Sequence, residues 1–264
     1  KQKTATDGQV TTTVRQKLPL GSLSRWMSSC EELRASLSMH PVSAYLSDAA
    51  ILHPSLEIQQ FGLGQSNPTY LVRIQDADFS VVLRKKPNSV AHPSAHALHR
   101  EFAELKALRQ HNRRNPHCQV PVPCPICYCK DESVIGAEFY LMQFVQGRIF
   151  TDSALPGMSQ DDRRQAFRSA VSVLANLHIV DIGQVGLETF GKSGRYVERQ
   201  LTRLVAVSRK QTELGGSPAP EIEHVARQLQ SYASRCPNNL SLLHGDFKID
   251  NLVFHPTQPR VLAV

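Results

Sequence analysis

His244-Gly245-Asp246-Phe247-Lys248-Ile249-Asp250-Asn251 is the stretch on which the reading of this chain turns. It sets a carboxylate two residues after a histidine and a carboxamide five residues further on. Moving a phosphoryl group onto an alcohol needs a group to take the hydroxyl proton, metal charge on the phosphates, and in-line positioning. Asp246 suits the first task and Asn251, as a metal ligand, the second. Lys248 can set positive charge against the moving group, and His244 is expected to brace the loop rather than react. The same eight residues could form a plain surface turn, but their setting argues otherwise. Leu242-Leu243 closes a helical region before them, and the β-rich runs 252–254 and 260–264 follow as a hairpin.

Upstream, 195–209 and 220–235 read as helices split by Gly215-Gly216-Ser217-Pro218. Ser159-Gln160-Asp161-Asp162 opens another, with Phe167, Val171, Leu174 and Leu177 as its apolar face. Before Gly147 the texture changes. Strand-like runs at 56–61, 69–74 and 79–83 are joined by short turns, the second of them Gln75-Asp76-Ala77-Asp78. A helix follows at 98–109 and is expected to break in the polar segment 111–117, which holds Pro116. Two more strands read at 126–129 and 138–144. Five antiparallel strands with one helix, then a mainly helical half, make an α+β chain of two lobes with a cleft between them. Residues 46–145 form the first lobe and 146–264 the second. Residues 1–45 read as an extension or linker, with one or two short helices from Glu31 to about Leu46.

The first lobe supplies nucleotide-binding candidates. Gly62, Gly64, Gln65, Ser66 and Asn67, between two strands, can lay backbone N–H groups over phosphates, or can simply turn a hairpin. Arg84, at the end of the third strand, can fork onto phosphate oxygens. Glu101 is its natural ion-pair partner and Glu104, one turn on, the substitute; Lys85 points to the other face. Met142, Gln143 and Val145 join the lobes. Their backbone would read an adenine edge, with Met142 lining the back of the pocket; otherwise they end a core strand.

Composition excludes some classes. Thirty Lys and Arg against 23 Asp and Glu give a net charge of +7, which suits a phosphate-bearing ligand. Nucleic acid is disfavoured: only 6% of residues are aromatic, and basic–aromatic clusters are absent. No run of 18 apolar residues occurs, so no membrane span is expected. Residues 1–29 are basic and Ser/Thr-rich, with Asp7 the one acid. That is not a secretory signal; it reads as disordered, a linker or the remnant of an organelle-targeting segment. Cys124, Cys127 and Cys129 invite a zinc reading, but the ligand set is incomplete, and scattered buried thiols in a reducing compartment is the better one.

In this order the pieces resemble the aminoglycoside-phosphotransferase-like branch of the protein-kinase-like fold. They more closely resemble the kinase-like domain fused to acyl-CoA dehydrogenases. The phrases that carry this are Gly64 to Tyr70, Leu83 to Pro87, Pro121-Val122-Pro123, Ser133 to Gly136, Gly147 to Phe150, and His244 to Pro256. The resemblance implies ATP, magnesium and transfer to a hydroxyl. Asp246 would be the base, Asn251 a metal ligand, Arg84 and Glu101 the phosphate-binding pair, and Gly64 to Asn67 the phosphate loop. For the narrower group it implies a hydroxylated acyl-CoA acceptor in fatty-acid breakdown and a linked dehydrogenase domain. The setting implied is intracellular, mitochondrial or peroxisomal, and otherwise cytoplasmic. Three departures stand out: Gln143 where Glu is common, a polar insertion around 111–118, and a metal-binding Asp expected two residues past Val264. On that pattern the chain is expected to be a piece of a longer enzyme, to bind nucleotide weakly and to turn over little. The competing readings are a non-catalytic nucleotide-binding or scaffold domain, and a kinase of an aminoglycoside- or choline-like acceptor.

Overall fold

The computed structural model describes residues 2–4, 11–12, 17–38, 55–62, 67–75, 79–87, 98–191, 194–233, 235–236 and 240–264. Expected helix beyond residue 38 and the turn residues 76–78 lie outside the described residues. The chain divides into two units, one of residues 1–180 with 243–264 and one of residues 181–242.

In the first unit, Val81-Val82-Leu83 shows why the main sheet needs cover on both sides. Consecutive apolar residues on a strand point to opposite faces, so neither face can meet water. The strands are β1 (Gln2–Thr4), β2 (Thr11–Thr12), β3 (Leu56–Phe61), β4 (Thr69–Ile74), β5 (Phe79–Lys85), β6 (Pro125–Cys129) and β7 (Phe139–Gln143). The main sheet has the order β2-β3-β4-β5-β7-β6, and every neighbouring pair is antiparallel. The five expected strands are thus present, with β2 a two-residue addition at one edge.

Helices α1 (Leu20–Ser29) and α2 (Glu31–Ser38) cover one face. Leu23, Met27 and Leu33 pack there with Tyr70, Val72, Val81, Leu83, Phe139 and Leu141, and Trp26 meets the Phe139 ring at 4.8 Å. This corrects the expectation of disorder through residue 29. The Leu23–Met27 spacing is one helical turn, and burying those side chains stabilises the contact by roughly 2 kcal/mol each.

Helix α3 (Leu98–Arg114) covers the other face, where Phe102 lies 5.6 Å from both Tyr128 and Tyr140. It does not end at 109. His111 is buried with Nε2 3.0 Å from the Cys118 carbonyl. The Asn112 side chain exchanges two hydrogen bonds with the Val120 backbone, 2.7 and 2.8 Å. The polar segment therefore closes the helix end instead of interrupting it.

A second sheet has the order β1-β8-β9-β10, from β8 (Arg148–Phe150), β9 (Val253–Phe254) and β10 (Val261–Ala263). β8 departs from the helical expectation after Gly147: three residues are too few for a period to show. Beside it runs α4 (Gln160–His178), whose Ser159 cap accepts a hydrogen bond from Asp162 N at 3.1 Å. Its inward face is Ala166, Ala170, Val173 and Leu177, while Phe167 and Val171 are exposed. Of the expected apolar face Leu177 is buried as expected, while the other three positions give way to their preceding neighbours Ala166, Ala170 and Val173. The second unit holds α5 (Tyr196–Glu213) and α6 (Pro220–Ala233). Arg209 forks onto Glu223 between them at 2.7 and 3.0 Å.

Gly147 admits no side chain. A Cβ there would sit 2.3 Å from the Phe254 carbonyl oxygen, a backbone atom that cannot swing aside. Gly147→Ala is expected to destabilise the protein by about 2–3 kcal/mol. Chemical denaturation measures this, and an unchanged midpoint would contradict the close approach of β8 to β9.

Candidate active site

Leu252 and Phe254 are fully buried and anchor the residues that follow the His244–Asn251 loop. Phe254 meets Phe150 edge-on, with ring centroids 5.3 Å apart. Arg148, itself buried, donates from Nε to the His255 carbonyl at 2.8 Å and from Nη2 to the Gln258 carbonyl at 3.0 Å. One guanidinium thus clamps the turn between β9 and β10 and holds the exit of the loop. Sequence reasoning assigned Arg148 no role, although an arginine between a glycine and Ile149-Phe150 is a signal of a buried, paired charge.

Inside the loop, Gly245 adopts φ +82°, a conformation that costs glycine nothing and other residues strain. The turn lets Asp246 N donate to His244 Nδ1 at 3.3 Å, and the His244 ring stacks edge-on against Phe247. Ile249–Asn251 forms a short 3-10 turn. It brings Asn251 back to Asp246, donating from Nδ2 to the Asp246 carbonyl at 2.8 Å and to Oδ2 at 3.0 Å. Lys248 Nζ stands 3.4 Å from the same carboxylate and 3.6 Å from Asp250. The hydrogen bond from Asn251, then Lys248, hold the Asp246 carboxyl below the ordinary carboxylate range. Asp246 in turn raises Lys248. With 68% of its side chain exposed, Asp246 is an ionised carboxylate open to a ligand.

Nδ2 of Asn251 is committed to Asp246, which leaves Oδ1 as the atom for a cation. That suits magnesium, which takes few protein oxygens and keeps waters and phosphates as its other ligands. Among the described residues no three His, Cys, Asp or Glu gather as a metal site.

A second cluster lies on the α3 face of the main sheet. Arg84 Nε stands 2.9 Å from Glu101 Oε2, an ion pair whose N–H is not aligned as a hydrogen bond. Tyr140 donates its hydroxyl to the same oxygen at 3.3 Å, and burial keeps that phenol well above its usual pKa. Asn67 donates from Nδ2 to the other oxygen, Oε1, at 2.8 Å. Glu104 makes no ion pair among the described residues, and burial raises its carboxyl. Lys85 is buried, away from Arg84 along the alternating strand.

Gly62 is exposed at the end of β3, and Gly64, Gln65 and Ser66 lie outside the described residues. At the end of β7 Met142 is half-buried and Gln143 exposed, and Val145, just past the strand, is half-buried. The Gln143 N–H donates to the Cys124 carbonyl at 2.8 Å, so its backbone donor is not available to a base. Cys30, Cys127 and Cys129 are buried in the core beside α1 and α2, Cys118 and Cys124 are half-buried, and Cys236 is exposed, so the expectation of scattered buried thiols holds for three of the six. A cavity of about 440 Å³ runs along α5 past Arg195, Glu198, Arg199 and Arg203, and includes none of the residues above. No helix among the described residues is long and apolar enough to cross a membrane.

Comparison with known proteins gives this arrangement a family. Acyl-CoA dehydrogenase family member 10 of Mus musculus is 40% identical over 209 residues, 79% of this chain and 18% of that protein. The chain spans about a quarter or less of the length of the curated relatives it matches. A crystal structure from Ralstonia eutropha, assigned by name to the aminoglycoside phosphotransferases, is 33% identical with a TM-score of 0.67. That match covers 94% of this chain and 64% of the other. Aminoglycoside phosphotransferase APH(4)-Ia, solved with ADP and hygromycin B, shares the fold at 14% identity and a TM-score of 0.54, covering 80% of this chain and 66% of that one. Residues 57–264, which include both clusters, match the phosphotransferase enzyme family (APH), and the chain belongs to that family.

Proposed function

We propose that this chain binds ATP with magnesium and serves transfer of the γ-phosphoryl group to the hydroxyl of a small molecule, preferably a hydroxyacyl-CoA. The observation that carries the reading is the Asp246 carboxylate, exposed and held ionised by Asn251 and Lys248. Asp246 would take the hydroxyl proton as the acceptor oxygen attacks phosphorus and ADP leaves. Lys248 would face the charge on the moving group. Arg84, steered by Glu101, would hold phosphate oxygens, and Asn251 Oδ1 would hold magnesium, which when bound neutralises phosphate charge. Backbone atoms of Gln143 and Val145 would meet the adenine, and Gly62 to Asn67 the phosphates.

The acceptor class rests on likeness to a protein named an acyl-CoA dehydrogenase family member, and on the surplus of positive charge. The same likeness supports a setting in acyl-CoA chemistry beside a dehydrogenase domain; mitochondria or peroxisomes are proposed as its place. The competing reading is nucleotide binding without turnover. Radiolabel transfer from γ-labelled ATP to a panel of hydroxyacyl-CoAs and aminoglycosides tests the choice. Label on a hydroxyacyl-CoA is expected. Label on an aminoglycoside alone would overturn the acceptor, and ATP binding with no transfer would favour the second reading.

A further inference from the structure

Glu101 is held on both oxygens, and the residue on its second oxygen stands just ahead of β4. Asn67 is 3% exposed, and its Nδ2 reaches Glu101 Oε1 at 2.8 Å across 34 residues of sequence. Arg84 and Tyr140 meet Oε2 at 2.9 and 3.3 Å. A carboxylate held through one oxygen can still rock about that contact; held through both it cannot. The Asn67 backbone is fixed as well, because the Thr69 hydroxyl donates to its carbonyl at 3.0 Å. This buried amide therefore does more than satisfy itself.

We propose that Asn67 is a positioning residue for the nucleotide's phosphates. It locks the Glu101 carboxylate in the one orientation that aims the Arg84 guanidinium, and Tyr140 completes the lock from β7. The proposal rests on the phosphotransferase reading given above. It adds a role for the Asn67 side chain apart from any contact between its backbone and phosphate. It also links the chain just before β4 to α3, so the phosphate-facing cation depends on both.

Isothermal titration of the 264-residue chain with MgATP and with adenosine tests it. Asn67→Ala is expected to weaken MgATP about tenfold, as loss of a hydrogen bond to a charged group does, and to leave adenosine within twofold. Tyr140→Phe should weaken MgATP about threefold by the same route. Asn67→Asp sets a second carboxylate against Glu101, with Arg84 on β5, Tyr140 on β7 and Glu104 on α3 as the other ionisable groups nearby. A shared proton relieves that repulsion, so its MgATP affinity should recover as pH falls from 8 toward about 5. Thermal unfolding of each variant monitors folding. Unchanged MgATP affinity in Asn67→Ala, equal losses for MgATP and adenosine, or no recovery of Asn67→Asp at low pH would each overturn the proposal. A wild-type chain that binds no nucleotide would overturn the phosphotransferase reading itself, and this inference with it.

Discussion

Asp246→Ala is expected to lower phosphoryl transfer by about 10²–10⁴-fold, the usual contribution of a positioned base. MgATP affinity should change less than about threefold, because a base acts on the acceptor hydroxyl and not on the bound nucleotide. Steady-state ADP release reads the rate, and titration with MgATP reads the affinity. The pH profile adds a second check. The hydrogen bond from Asn251 depresses Asp246, so the carboxylate stays ionised as pH falls, and the acid limb should lie below the ordinary carboxylate range. Asn251→Ala removes the largest cause of that depression, so the limb should move up in pH. A limb that stays put would place the titrating base elsewhere.

Arg84→Ala is expected to weaken MgATP about 10–100-fold, since it removes the cation proposed to face the phosphates and leaves Glu101 half-buried without its ion-pair partner. Glu101→Ala should lose less, because the guanidinium keeps its charge and loses only its aim. The double variant should fall short of the sum, with a coupling energy of about 1–2 kcal/mol. Arg84→Lys is expected to recover part of the loss, because an ammonium cannot fork onto two oxygens. Titration with MgATP settles each value, and strictly additive losses would mean that the 2.9 Å contact carries no coupling.

Much of this was legible residue by residue. Strand residues show as alternating or continuous apolar runs, and the runs at 56–61, 69–74 and 79–83 needed only that rule. The Ser159 cap needed only a side-chain oxygen before an acidic turn. Other features failed for physical reasons. Helix α1 hid in a Ser-rich segment because its hydrophobic content is small and its stability comes from the sheet beneath it. On α4 the small residues Ala166 and Ala170 face the core while Phe167 and Val171 face outward, so residue size misled the choice of face. At His111 and Asn112 polarity suggested a break, yet both side chains pin the chain at 118 and 120 back onto the helix.

The sequence by itself determined the chemistry on offer. The carboxylate, the amide and the lysine of the 244–251 loop lie within eight residues, so local turn geometry alone can assemble them. Glu101 as partner of Arg84 followed from the kinase-type pattern of a strand-end cation paired with a helix carboxylate. Only the tertiary structure decided what holds these groups still. Arg148 reaches carbonyls 107 and 110 residues away, and Asn67 and Tyr140 close on Glu101 across 34 and 39. Contacts of that length depend on how strands pair and helices pack, and no local pattern records them. A reacting group is written in residue type and spacing, whereas its orientation is a property of the packed core around it.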